Sequence, residues 1–136
     1  MKKILSLLAF ALLTVGAVMA QNNGSATVGD EIYTVVEQKP QFPGGEDALL
    51  QWLGTHVQYP EKAKAEKLEG KVYVTFVVER DGSITNVRIV APREKMALLE
   101  EEAVRVVRAM PKWEPGKVRG KKVRVQFNLP IVFYLQ

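Results

Sequence analysis

Apolar and polar residues alternate along the last stretch of the chain. From Val123 to Phe133 the odd positions Val123, Val125, Phe127, Leu129, Ile131 and Phe133 are apolar, while the even ones include Arg124, Gln126 and Asn128. A period of two predicts a long strand with one buried and one wetted face. Pro130 inside it has no N–H for a central ladder, so an edge strand is expected. An edge offers unpaired backbone groups to another chain. Lys71 to Glu79 repeats the pattern, with Val72, Val74, Phe76 and Val78 on one face and Tyr73, Thr75 and Val77 on the other. Ile84 to Ala91 reads as its return strand, with Val87 and Ile89 inward and Arg88 outward. Between them, Asp81-Gly82 accepts the positive φ values of a tight hairpin.

Other stretches carry the helical period. Glu46 and Asp47 complement the positive end of a first helix, whose apolar stripe is Leu49, Leu50, Trp52, Leu53 and Val57. A second helix is predicted from Pro60 to Gly70, and a third from Glu94 to Met110, with Met96, Leu99, Ala103, Val106, Val107 and Met110 inward. Pro111 stops the third helix, and Trp113 follows in a loop closed by Pro115 and Gly116. Ile32 to Val36 is a candidate for one more short strand. These elements predict an α+β fold, a three-stranded antiparallel sheet with the helices packed on one face.

The first twenty residues belong to a different pattern. A positive start at Lys2 and Lys3, an apolar run from Ile4 to Val18, and small residues at Val18 and Ala20 read as a secretory signal peptide cleaved after Ala20. Its apolar run is short for a bilayer span, so retention as an inner-membrane signal anchor is the weaker reading. The predicted organisation is a signal peptide at 1–20, a flexible segment at 21–40 and one domain at 41–136. The chain has no cysteine, so no disulfide can staple the exported domain and its core must hold it. The net charge of +4 includes two signal-peptide lysines, which makes nucleic acid an improbable partner.

No constellation for covalent chemistry stands out, and the chain reads as neither an enzyme nor a metal or cofactor carrier. His56 is the single histidine and falls near a helix end, where a structural role is ordinary. Glu100-Glu101-Glu102 reads as a solvated helix face. Lys117, Arg119, Lys121, Lys122 and Arg124 form a basic cluster before and into the final strand. Nothing indicates a small-molecule substrate.

From about Gln41 onward the sequence resembles the TonB C-terminal domain family. The resemblance rests on Phe42-Pro43-Gly44-Gly45, Tyr59-Pro60 with Ala63, and Glu69-Gly70-Lys71-Val72. It continues through Asp81-Gly82, Asn86-Val87, Met110-Pro111, Trp113 and Glu114-Pro115-Gly116-Lys117, then Gly120, Phe127, Leu129-Pro130-Ile131 and Phe133. It implies a periplasmic domain that adds a short peptide of a TonB-dependent outer-membrane receptor as an extra strand on its last strand. Carried onto this chain, the pairing edge is the backbone of Val123, Arg124, Val125, Gln126, Phe127, Asn128 and Leu129. Tyr59, Pro60, Gly70, Asp81, Gly82, Pro111, Trp113, Pro115 and Gly116 are then motif residues that shape the fold. A full-length TonB also carries a membrane anchor and a long proline-rich spacer. This sequence reads as a short form with a signal peptide and without that spacer, so binding is expected rather than force transmission. The alternative is a structural or assembly protein of the envelope that uses the same edge for self-pairing as a homodimer, or for docking another envelope protein.

Overall fold

Alternating residues with apolar side chains build the centre of the molecule. In the computed structural model, which describes residues 30–136, Val72, Val74, Phe76 and Val78 are almost wholly buried in one strand. The predicted signal peptide and its cleavage after Ala20 lie outside the described residues. Residues from Ile32 to Gln136 form one compact unit. In chain order its elements are β1 (Ile32–Tyr33), α1 (Glu46–His56), α2 (Glu61–Ala65), β2 (Gly70–Val78) and β3 (Ile84–Ile89). A 3-10 turn (Glu94–Met96), α3 (Ala97–Arg108), β4 (Gly116–Val118) and β5 (Lys121–Phe133) complete it. Among the described residues no helix is long and apolar enough to cross a membrane.

The α+β class is as the pattern predicts, but the sheet is larger than expected. It has five strands in the order β1-β5-β2-β3, with β4 also paired to β5. All pairs are antiparallel except β1 with β5. The two additional strands have two and three residues, too few to show a period in sequence. Leu49 and Leu53 of α1, Ala63 of α2 and Leu99, Ala103, Val106 and Val107 of α3 share one core with β2 and with Leu129, Ile131 and Phe133 of β5. Burying apolar side chains on this scale is the main driving force for the fold.

Three local expectations are corrected. The second helix stops at Ala65 instead of running to Gly70. Lys67 adopts a left-handed φ of 57°, the Leu68 N–H reaches the Ala63 carbonyl at 2.9 Å, and the Lys67 N–H reaches that of Lys64 at 3.0 Å. That pair of bonds is a Schellman stop with lysine in the place glycine usually takes. Leu50, assigned to the apolar stripe of α1, points outward and is 60% exposed. The three-glutamate run is not a solvated face, because Glu100 and Glu102 are both buried.

Candidate binding edge

Nine successive residue pairs join β5 to β2, from Gly70 opposite Phe133 to Val78 opposite Val125, without a bulge. The direction of the backbone groups follows from one bond. The Tyr73 carbonyl accepts the Val90 N–H at 2.9 Å, so Tyr73 turns its backbone toward β3. Its β5 partner Pro130 therefore turns its own backbone away from β2. The missing N–H of Pro130 thus falls on the outer side, where no ladder bond is lost. By the same alternation Asn128 and Val132 direct N–H and carbonyl outward.

Two short strands cover the beginning of that outer side. Gly116, Lys117 and Val118 of β4 lie opposite Val123, Lys122 and Lys121. Ile32 and Tyr33 of β1 lie beside Arg124 and Val125. From Phe127 to Phe133, no strand among the described residues pairs with this side of β5. Of the residues assigned to the edge in sequence, Val123, Val125 and Leu129 bury their side chains, and Arg124, Gln126 and Phe127 are half-buried. Asn128 is exposed.

The motif residues surround β5 and hold it in place. Gly116 is glycine for want of room: a Cβ there would stand 2.7 Å from Val125 Cγ2 and 3.1 Å from the Gln38 carbonyl oxygen. Gly82 has a φ of 89°, and a Cβ on it would meet the Trp113 carbonyl oxygen at 2.1 Å. This close approach lets the Trp113 N–H bond the Gly82 carbonyl at 2.8 Å, tying the β2–β3 turn to the loop of Pro111 and Pro115. Asp81 closes the same turn by accepting the Ser83 N–H at 2.9 Å and the Ser83 hydroxyl at 2.7 Å. Those bonds hold its carboxyl below the usual range. Trp113 is buried with its ring 5.9 Å from Phe42, 5.4 Å from Phe76 and 5.0 Å from Phe127. Its Nε1 has no acceptor among the described residues. At the far end, Tyr59 meets Phe133 edge-on at 5.7 Å and donates its hydroxyl to the Leu68 carbonyl. Pro60 precedes α2, and Gly70 opens β2.

Charged groups fasten the neighbouring loops. Glu102 accepts the Gln58 N–H at 2.7 Å and pairs with Arg105 at 2.7 Å, and the Arg105 guanidinium draws its carboxyl below the usual range. Glu100 accepts the Arg93 N–H at 2.9 Å. His56 stacks on Trp52 at 4.0 Å and donates Nδ1–H to the Trp52 carbonyl at 2.8 Å, which is a structural arrangement. Sequence reasoning did not anticipate the parallel pairing of β1, the strand β4, or the pairing of Gln38 with Lys117 and of Gln41 with Glu114. Only the candidate strand at Ile32 gave any signal for them.

Comparison with known proteins follows the same span. The family model for the Gram-negative bacterial TonB protein C-terminal matches residues 55–135. "Protein TonB" of Escherichia coli (strain K12) is 40% identical over 75 residues, which cover 53% of this chain and 30% of that one. The chain therefore spans under a third of the length of that relative. Among solved structures, the C-terminal domain of Helicobacter pylori TonB is 25% identical with a TM-score of 0.46, covering 69% of this chain and 87% of that one. The corresponding domain of Pseudomonas aeruginosa TonB is also 25% identical, with a TM-score of 0.47 over 58% of this chain and 78% of that one.

Proposed function

The chain belongs to the TonB C-terminal family, and on that premise we propose that it is a periplasmic protein-binding module acting with TonB-dependent outer-membrane receptors. Membership in this family makes it a non-enzymatic protein. In this reading residues 1–20 direct export, and the compact unit from Ile32 onward receives an extended receptor peptide as an added strand on β5. The observation that carries it is the outer side of β5 from Phe127 to Phe133, unpaired among the described residues, where Asn128 and Val132 offer backbone donors and acceptors. Strand addition draws affinity from such main-chain groups. β1 and β4 hold the part of the edge at Val123 to Val125, so the receiving stretch begins near Phe127.

Amide shifts recorded while the exported, purified chain is titrated with peptides from receptor N-terminal segments test this. Perturbations at Asn128 and Val132 are expected. Asn128→Pro removes one outward N–H and should weaken binding about tenfold, by loss of one bond and of the fit around it. Absence of any peptide-induced shift between Phe127 and Phe133 would defeat the proposal. A mass that rises with protein concentration would instead favour self-pairing through the same edge.

A further inference from the structure

Beside the unpaired stretch of β5 lies a cleft of about 350 Å³. Its apolar lining is Phe127 and Leu129 of β5 with Phe42, Leu49 of α1 and Trp113, and the exposed Lys39, Gln41 and Glu46 line it as well. Its position relative to the edge sets what can enter it. Side chains of a strand laid along β5 alternate between the two faces of the sheet, matching the residue opposite. A residue opposite Asn128 therefore projects to the wetted face. Residues opposite Phe127 and Leu129 project to the face that these two share with Ile131 and Phe133, and the cleft opens there.

We propose that this cleft is a side-chain subsite for the added strand, taking two apolar residues spaced i and i+2 in a partner peptide. The inference rests on the strand-addition reading above and specifies the partner it selects. Two features converge on one occupant. The outward groups of Asn128, Pro130 and Val132 form a row that an extended backbone matches, and Phe127 and Leu129 give the cleft an apolar side where alternate side chains of that backbone arrive. β1 closes the edge at Val125, so the peptide abuts Tyr33 and its frame against Phe127 and Leu129 is defined from that end. Pro130 offers a carbonyl and no N–H, so the partner position facing it can donate and cannot accept. Backbone pairing then supplies general affinity, and the cleft supplies choice among extended segments.

The test uses the full exported chain and capped synthetic heptapeptides read by amide shifts and calorimetry. The reference peptide carries leucine at its third and fifth positions with serine and threonine elsewhere. In the comparison peptides one or both leucines become serine. Each replacement should weaken binding about tenfold or more, the fold-change expected from losing one buried aliphatic side chain. On the protein, Gln41→Trp narrows the cleft from an exposed position without altering β5. It should weaken the leucine peptide about tenfold and leave a peptide with alanine at those positions unaffected. Equal affinity for leucine and serine peptides, with shifts still confined to Phe127 to Phe133, would overturn the subsite and leave strand addition standing. No binding by any peptide would remove both. A concentration-dependent dimer that protects the Phe127 to Phe133 amides would assign the cleft to a second copy and overturn the proposal as well.

Discussion

The sheet ends in two edges, and they are built in opposite ways. β3 is a six-residue strand, and its pairing with β2 slips between Thr75 and Val77. Asn86 within it takes a left-handed φ of 52°, and Ala91 just beyond takes 53°. Short length, a bulge and a kinked backbone are the means by which sheets stop foreign strands from pairing. β5 has thirteen residues and an uninterrupted register, with β1 and β4 on its first part and only Pro130 interrupting the donors on the rest. One edge is closed by its own geometry and the other keeps a regular register and, among the described residues, stays unpaired over a defined stretch. Under the proposed strand addition, this contrast makes β5 rather than β3 the receiving edge.

The largest effect comes from the residue on which both edges depend. Phe76 lies in β2, between β3 and β5, is 1% exposed, and packs on Trp113 at 5.4 Å and Phe127 at 5.6 Å. Phe76→Ala should cost about 3–5 kcal/mol, measured by chemical denaturation. Peptide binding should fall in proportion to the unfolded fraction. A loss of binding with stability intact would mean that Phe76 shapes the β5 edge directly, through Phe127, rather than through the stability of the shared core.

The α+β class and most of the core were legible because long elements repeat their signal. Met96, Leu99, Ala103, Val106 and Val107 all sit inward as their helical spacing requires, and Val72, Val74, Phe76 and Val78 of β2 are buried as their alternation requires, although Thr75 and Val77 on the other face are buried as well. The Asp81-Gly82 turn was equally plain. What escaped depended on contacts distant in sequence. Glu100 and Glu102 look like surface charges until the N–H groups of Arg93 and Gln58 arrive beside them. Lys67 gives no hint of ending a helix, since its left-handed conformation is stabilised by bonds to Ala63 and Lys64 rather than by its own preference. For the candidate site, Pro130 marked the strand as an edge. Which part stays unpaired is decided by Ile32 and Tyr33, about ninety residues earlier, whose two-residue strand has no period to read.

An intermediate effect sharpens the difference between the edges. Asn86 sits in the left-handed region, which asparagine enters more readily than alanine does. Asn86→Ala should therefore destabilise the chain by about 1–2 kcal/mol in denaturant titrations. Affinity for a peptide on β5 should stay unchanged at temperatures where the variant is folded. Weaker peptide binding in the fully folded variant would show that the two edges communicate, contrary to their separate construction.

The smallest effect lies at the point where the two edges are joined. Glu79, just past β2, accepts the Arg124 guanidinium of β5 at 2.7 Å and the Thr85 hydroxyl of β3 at 2.5 Å. The bond from Arg124 is the main cause that lowers the Glu79 carboxyl below its ordinary value of 4.5. A carboxyl depressed in the folded state stabilises it fully above the unfolded value, and that contribution drains as pH falls through the folded value. Glu79→Gln should thus cost about 1 kcal/mol at neutral pH, for a charge-assisted pair that is mostly out of water. Between neutral pH and about 4.5 the gap in stability between the parent and the variant should stay level, and below that it should close. Denaturation midpoints across this range measure it. A gap that persists at the acid end would place the stabilisation in shape rather than in charge. Thr85 and Arg124 would then be held by packing, and β3 and β5 would owe their common support to the core alone.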